Sequence, residues 1–372
     1  MSPSTRFIPS TFVALTCVAL PLSAQAARQA SDAGSRGTPS VFTAEDALAI
    51  DGYAISDLSE DGRYLAVIET VRRDSYGQDF RHDGDPSYTR AIPSRLEVID
   101  TKSGAVQQVF PDKRTVKSAR WSPDGKRLAM LLYNGDIYEP AIWDAATKKV
   151  TVSHIPAGHY VAENSDLRWT PDGKQLVLAL HTTAWRKKVR DTFTNMTVGP
   201  VFVQSSNDPF LSWDDIRRMA NMRSVVTFDP QANAVHDLVP ETMVGNYTLA
   251  EDGTAISYNQ DVQKKTDYDS FNAEASLRTR PMAGGAERSL YPTLKGMQLV
   301  WSEDGKHYAY GKEGRVFVGS IDGAGGPAKQ ILGAPEVKRG ETPDTSKATR
   351  ERAALERFTV VRYSPKADAI VA

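Results

Sequence analysis

Trp213-Asp214-Asp215 places two adjacent carboxylates beside an aromatic ring, and of all the residues in this chain these are the best suited to hold a ligand. A carboxylate pair matches an ammonium group, which brings one positive charge and three hydrogen-bond donors. The same stretch also has a purely structural reading. Ser212-x-x-Asp215 is a capping box that would open a short helix through Ile216, Met219 and Met222, and both readings stand at this point. A second acidic group, Asp79 with His82-Asp83-Gly84-Asp85, misses the residue order and distal glutamate of a calcium loop, so it reads as a solvated turn. No two of the six histidines stand four apart on a helix as in a zinc hydrolase, and neither a metal nor a cofactor is expected.

The elements that must position these residues are legible from a repeated phrase. Trp121-Ser122-Pro123-Asp124-Gly125-Lys126 is its cleanest copy, followed by Trp169-Thr170-Pro171-Asp172-Gly173-Lys174 and Trp301-Ser302-Glu303-Asp304-Gly305-Lys306. Weaker copies surround Asp61-Gly62 and Asp252-Gly253. Proline pre-sets φ, aspartate tolerates the bend and glycine accepts positive φ, so each phrase is a tight turn. Alternating apolar runs follow, as in Arg127-Leu128-Ala129-Met130-Leu131-Leu132, and predict strands. A second hairpin follows each first one, for example Ala141–Asp144 into Val150–Val152. Two hairpins per repeat predict an all-β fold, a β-propeller of four-stranded antiparallel blades. The tryptophan before each turn is expected to pack between blades rather than touch a ligand.

The copies are unevenly spaced. The shorter intervals fit a bare blade of roughly 40–50 residues, and the longer ones carry insertions at 69–94 and 181–224. Insertions in repeat folds map to loops, often on the binding face, and the second insertion holds Trp185, Arg186, Lys187, Lys188 and Trp213 to Asp215. About five complete blades are expected. Tyr363-Ser364-Pro365-Lys366 opens a sixth, and the sequence ends at Ala372, so the ring is expected to be incomplete in this chain.

Composition is that of a large globular protein, 40% hydrophobic and 24% charged over 372 residues. A net charge of −1 gives no reason to expect nucleic acid or an anionic membrane as partner. Arg6, an apolar core over 12–22 and Ala24-Gln25-Ala26 read as a signal peptide over 1–26, too short to span a bilayer. The expected organisation is that signal, a flexible leader over 27–41, and the propeller over 42–372, in a periplasmic or secreted protein. Cys17 is the only cysteine, so the mature chain would have none. Thr43 and Asp46 predict a capped helix from Ala44, and Ser346 predicts a solvated helix running to about residue 357.

An export signal followed by Asp-Gly repeats, with the capped helix at Ala44 and the loop Phe210-Leu211-Ser212-Trp213-Asp214-Asp215, resembles the prolyl oligopeptidase family of serine peptidases. It also resembles the TolB-like periplasmic propellers, which bind protein partners. The peptidase resemblance implies a propeller that gates and recognises short peptide substrates for an α/β-hydrolase domain expected beyond Ala372. In dipeptidyl-peptidase relatives acidic side chains from the propeller hold the substrate's amino terminus, a role that would fall to Asp214 and Asp215. These do not match the paired glutamates of the well-known members. Such enzymes need a Gly-x-Ser-x-Gly elbow, then an aspartate and a histidine. No such elbow is present; Gly319-Ser320-Ile321-Asp322-Gly323 has the wrong spacing. No catalytic residue is therefore expected within this chain. The alternatives are a TolB-like scaffold and a propeller enzyme with a central cofactor, for which no constellation is evident.

Overall fold

The computed structural model describes residues 41–199, 201–266, 274–322, 328–335, 346–347, 350–351, 357–364 and 369–372. The expected signal peptide, almost all of the leader, most of the helix after Ser346, and Pro365-Lys366 lie outside the described residues. Contacts divide the chain at Ala47/Leu48. In the first unit Thr43 begins helix α1 (Ala44–Leu48) with the expected box: the Thr43 amide donates to Asp46 Oδ2 (2.8 Å), and the Asp46 amide donates to Thr43 Oγ1 (3.2 Å).

The second unit is mainly β, and every strand pair in it is antiparallel. Strands β1 (Asp51–Leu58), β2 (Tyr64–Val71), β3 (Ser94–Asp100) and β4 (Val106–Gln108) form one four-stranded meander. The next comprises β5 (Val116–Trp121), β6 (Arg127–Tyr133), β7 (Tyr138–Asp144) and β8 (Val150–Val152). Short β9 (His159–Val161) bridges onward, and β10 (Arg168–Trp169), β11 (Leu176–Thr182) and β12 (Met222–Asp229) lead into β13 (Ala234–Leu249).

At sixteen residues β13 is twice as long as β1, β2 or β12. Its first half pairs with β12 and its second with β14 (Ala255–Asp261), so one strand closes the third meander and opens the fourth. β15 (Ala275–Pro281) and β16 (Arg288–Tyr291) complete that sheet. β17 (Gln298–Trp301), β18 (His307–Lys312), β19 (Arg315–Ser320) and β20 (Lys329–Leu332) form the next, and the hairpin β21 (Arg362–Ser364)/β22 (Ala369–Val371) follows.

The phrase that recurs in the sequence builds the same turn each time. At 122–127 the Ser122 hydroxyl donates to Asp124 Oδ1 (2.6 Å) and accepts from the Arg127 amide (3.0 Å), while Gly125 sits at φ +66°. Ser59 with Asp61 and Tyr64, and Thr170 with Asp172 and Gln175, repeat this relay. Ala250 has no hydroxyl, and there Asp252 turns to Thr254 and Lys306 instead.

Consecutive sheets pack face to face. Ala66, Leu96 and Val98 of the first meet Trp121, Met130 and Trp143 of the second; Leu131 and Tyr138 meet Trp169, Leu176 and Phe228 of the third. Trp121 and Trp169 before the turns therefore lie between sheets, as expected, each under 10% exposed, whereas Trp301 is only partly buried. Burying a side chain such as Leu128 or Leu176 contributes about 1.5–3 kcal/mol. First strands also adjoin in sequence. Ser56 Oγ exchanges two 2.9 Å hydrogen bonds with the Ala119 backbone, Trp169 Nε1 donates to the Arg120 carbonyl (2.9 Å), and the Tyr247 hydroxyl donates to the Asp166 carbonyl. Fourth strands such as β4, β8 and β20 are largely exposed. Sheets that meet at their first strands and expose their fourth are propeller-like.

Candidate functional site

Both long insertions leave the sheets at the connection between second and third strands, the end opposite the Asp-Gly turns. The first, between β2 and β3, folds into two 3₁₀ turns (Arg72–Gly77 and Phe80–His82). The second, between β11 and β12, forms α2 (Thr183–Thr197) and α3 (Ser212–Met219). Helix α2 is anchored through its buried face: Trp185, Val189 and Phe193 pack with Tyr160 and Ile216. Thr182 caps it by accepting from the Trp185 amide (3.1 Å). His181 lies beneath, stacked on Trp185 with ring centroids 3.6 Å apart, its Nδ1 donating to the Met222 carbonyl (2.9 Å). Burial pushes its pKa down to about 4, so this ring is neutral.

The insertions meet. His82 stacks on Tyr88 (4.5 Å between centroids) and on Phe193 (6.3 Å), and Phe193 contacts Trp213 edge-on (6.1 Å). The Trp213 ring lies 3.2 Å from where a side chain on Gly84 would begin, so a larger residue there would have to push the ring back and would also be strained at φ +85°. On the other side Arg218 donates to Asp261 (2.8 Å), and the Leu211 amide donates to Thr266 Oγ1 (2.9 Å). The second insertion thus reaches across the end of the sheets from the first meander to the fourth.

The residues singled out in the sequence sit on this bridge. Trp213 is a joint between insertions and still 41% exposed. Asp214 is occupied, 3.2 Å from Arg217 and accepting from Thr266 Oγ1 (3.4 Å). Asp215 is exposed; its amide donates to the Leu211 carbonyl (2.9 Å), and its carboxylate makes no hydrogen bond or ion pair among the described residues. Successive helical positions do not face each other, so the two carboxylates do not converge on one point. The capping box expected at Ser212-x-x-Asp215 is corrected here: α3 starts at Ser212 itself with Leu211 as N-cap and no side-chain cap, and Ser212 donates from both amide (3.0 Å) and hydroxyl (3.2 Å) to Gln204 Oε1. The Gln204 side chain outbids the helix for the serine. Arg186 is bound to Asp136 through two guanidinium nitrogens (2.6 and 2.8 Å), and Lys187 to Asp191 (2.6 Å). In the acidic loop Asp79 pairs with Arg81, Asp83 with Arg90, and Asp85 accepts from Ser87. Among the described residues no group of His, Cys, Asp and Glu could hold a metal.

His82, His154 and His307 have acids beside them, but among the described residues no serine hydroxyl is hydrogen-bonded to these rings. His307 Nδ1 lies 2.7 Å from Asp304 Oδ2, and Ser302 donates to that same aspartate rather than to the imidazole. Ser87 likewise donates to Asp85, with His82 3.7 Å away. Catalysis by a serine requires the hydroxyl on the imidazole.

A second charged set went unread in the sequence. Along the first strands, Lys117 Nζ stands 3.9 Å from Glu163, Arg120 stands 3.9 Å from Asp166, and Arg168 binds Asp166 (2.7 Å). Burial raises the pKa of Glu163 against the pull of Lys117, and burial lowers that of Lys117. Nearby, Asp57 accepts from the Trp121 amide (2.7 Å) and has its pKa raised by burial. The signal was available: Arg120-Trp121 and Arg168-Trp169 repeat an Arg-Trp pair, and strand alternation sends the tryptophan between sheets and the arginine to the opposite face.

No family model matches the sequence, and no curated protein matches it. Solved structures do resemble it. TolB from Acinetobacter baumannii is 15% identical over 73% of this chain and 53% of its own, with a TM-score of 0.40. The β-propeller domain of the Trilobed protease from Pyrococcus furiosus is 13% identical over 75% and 70%, with a TM-score of 0.45. Acylaminoacyl peptidase from Pyrococcus horikoshii is 12% identical over 75% of this chain and 39% of its own, with a TM-score of 0.46. The chain thus spans about half the length of the TolB and well under half that of the peptidase. These are distant likenesses of shape, and no activity follows from them.

Proposed function

We propose that this chain is the substrate-recognition propeller of an exported serine peptidase acting on short peptides, its α/β-hydrolase domain carried outside residues 1–372. In this reading the four-stranded meanders are five blades, with β21 and β22 opening a sixth. The observation that carries it is the bridge of insertions over one end of the sheets, held by Trp213 against Gly84 on one side and by Arg218 on Asp261 on the other. Such a cover restricts entry to small chains and presents side chains to them. Asp215 is the free carboxylate on that cover and the residue best placed to receive a peptide's ammonium group, with Trp213 beside it and Asp214 already neutralised by Arg217.

One observation favours a second reading, a protein-binding scaffold: Val201 and Val203 on the same insertion are 77% and 83% exposed, with Val198 and Phe202 next to them. A single experiment separates the two. Envelope extract from the source organism is treated with a fluorophosphonate probe, and polypeptides are captured with antibody raised against residues 42–372. The peptidase reading expects a captured polypeptide that carries the label, and an Asp215→Asn variant that raises KM for free-amine peptides but not for N-acetylated ones. A captured but unlabelled polypeptide sinks it and leaves the scaffold.

A further inference from the structure

Among the described residues one buried cation has no acid bonded to it. Arg223, on β12, is 4% exposed. Its Nε donates to the Val244 carbonyl (3.0 Å), Nη1 to the carbonyl (2.9 Å) and side-chain oxygen (2.6 Å) of Asn164, and Nη2 to the Gly245 carbonyl (2.5 Å). Those four bonds use four of the five guanidinium N–H groups and leave one on Nη2. Carbonyl dipoles satisfy the donors but do not cancel the charge, and a buried charge is stable only when it is paired.

The neighbouring charges do not supply the missing acid. The carboxylate that acts on Arg223 is Asp166, and it is already bound by Arg168 (2.7 Å) and approached by Arg120 (3.9 Å). Against that one carboxylate stand two guanidiniums, Arg168 and Arg223, which leaves one positive charge beside the cavity they share. The cavity is about 400 Å³, and its wall includes Asp166, Arg168, Arg223, Asn246, Asn259 and Trp301. The Asn246 side chain makes no hydrogen bond among the described residues. An excess of one positive charge, a spare guanidinium N–H and free amide donors on one wall suit a singly charged carboxylate.

We propose that this cavity binds a monocarboxylate, held by Arg168 and Arg223 and oriented by Asn246. The site does not depend on the peptidase reading above. Two sources share the chemistry: a free small organic acid, and the C-terminal carboxylate of a peptide.

The test is calorimetric titration of the purified full chain with acetate, with the tripeptide Gly-Gly-Leu and with its C-terminal amide. The expected result is saturable binding of the two carboxylates and at least tenfold weaker binding of the amide. Arg168→Gln should weaken carboxylate binding at least tenfold. Arg168 is only half-buried, so its loss leaves the core intact. Asn246→Asp, at an exposed position, should do the same by placing a negative charge on the wall. Tripeptide binding at least tenfold tighter than acetate assigns the site to peptide C-termini; comparable affinities assign it to small acids. No saturable heat with either carboxylate, equal binding of the amide, or affinities unchanged by both substitutions overturns the proposal.

Discussion

The two ends of this molecule are built by opposite methods. At the turn end a hydroxyl, a carboxylate and a glycine recur in register, and each turn leans on the one before: a side chain on Gly173 would touch Pro123 at 3.4 Å, and one on Gly253 would touch Pro171 at 3.4 Å. At the insertion end nothing recurs. His82 on Phe193, Phe193 on Trp213 and Arg218 on Asp261 are single contacts between residues far apart in sequence. Repetition gives a rigid base whose parts can substitute for one another, as Thr254 and Lys306 do where Ala250 lacks a hydroxyl. Singular contacts give a cover whose parts cannot, and recognition belongs with the part that is free to differ.

The sharpest break in that comparison lies at two glycines of the turn end itself. Gly62 and Gly305 both hold positive φ, +70° and +64°. Around Gly62 there is open space, whereas a side chain on Gly305 would run into the Leu249 carbonyl and the Ala250 backbone. Gly62→Ala should cost about 1–2 kcal/mol, the left-handed penalty alone. Gly305→Ala adds overpacking against backbone and should cost about 3–5 kcal/mol. Urea midpoints measure both, and equal costs would mean that the turns do not lean on one another.

Acid should separate the ends. His181 titrates at about 4 in the folded chain and near 6.5 when unfolded. Between those values the unfolded chain binds a proton that the folded chain refuses. Stability is therefore full above pH 6.5 and falls as pH drops toward 4, by about 3 kcal/mol. The turn carboxylates shift the other way. Hydroxyl donation from Ser59, Ser122 and Thr170 holds Asp61, Asp124 and Asp172 below their ordinary pKa, so their contribution is lost only as pH falls beneath the usual carboxylate range. Denaturation midpoints at pH 7, 5.5 and 4.5 should fall less steeply for His181→Gln than for the natural chain. Parallel slopes would remove the histidine from the account.

This division also explains what the sequence made legible. The four-stranded sheets, the Thr43/Asp46 cap and the packing role of Trp121 and Trp169 all follow from local rules: turn chemistry, alternation and periodicity. The double duty of β13 does not, because whether a strand stops at Leu238 or runs on to Leu249 is settled by which sheet its second half can join. Nor does the cover, because nothing in Phe193 or His82 announces the other. The charged first strands are an intermediate case. Arg120 and Arg168 stand directly before two tryptophans that carry the repeat, and alternation assigns them the opposite face, but the carboxylates they meet lie outside the repeated phrase.

The smallest prediction tests the distinction on two serines that look alike in sequence, Ser122 in Ser-x-Asp-Gly and Ser212 in Ser-x-x-Asp. Ser122 is 1% exposed, and its hydroxyl is the acceptor for the Arg127 amide. Ser122→Ala strands that amide and loosens Asp124, which should cost about 1–2 kcal/mol. Ser212 is half-buried, its hydroxyl serves only Gln204, and its own amide keeps the same acceptor when the hydroxyl is gone. Ser212→Ala should therefore cost no more than about 0.5 kcal/mol. If paired urea titrations show equal losses, Ser212 is a helix cap after all, and the insertion end is held by the same local chemistry as the turns. If they differ as expected, residues 212–215 owe little to the helix they begin. Asp215 can then be altered to probe ligand binding without first being excused as a structural residue.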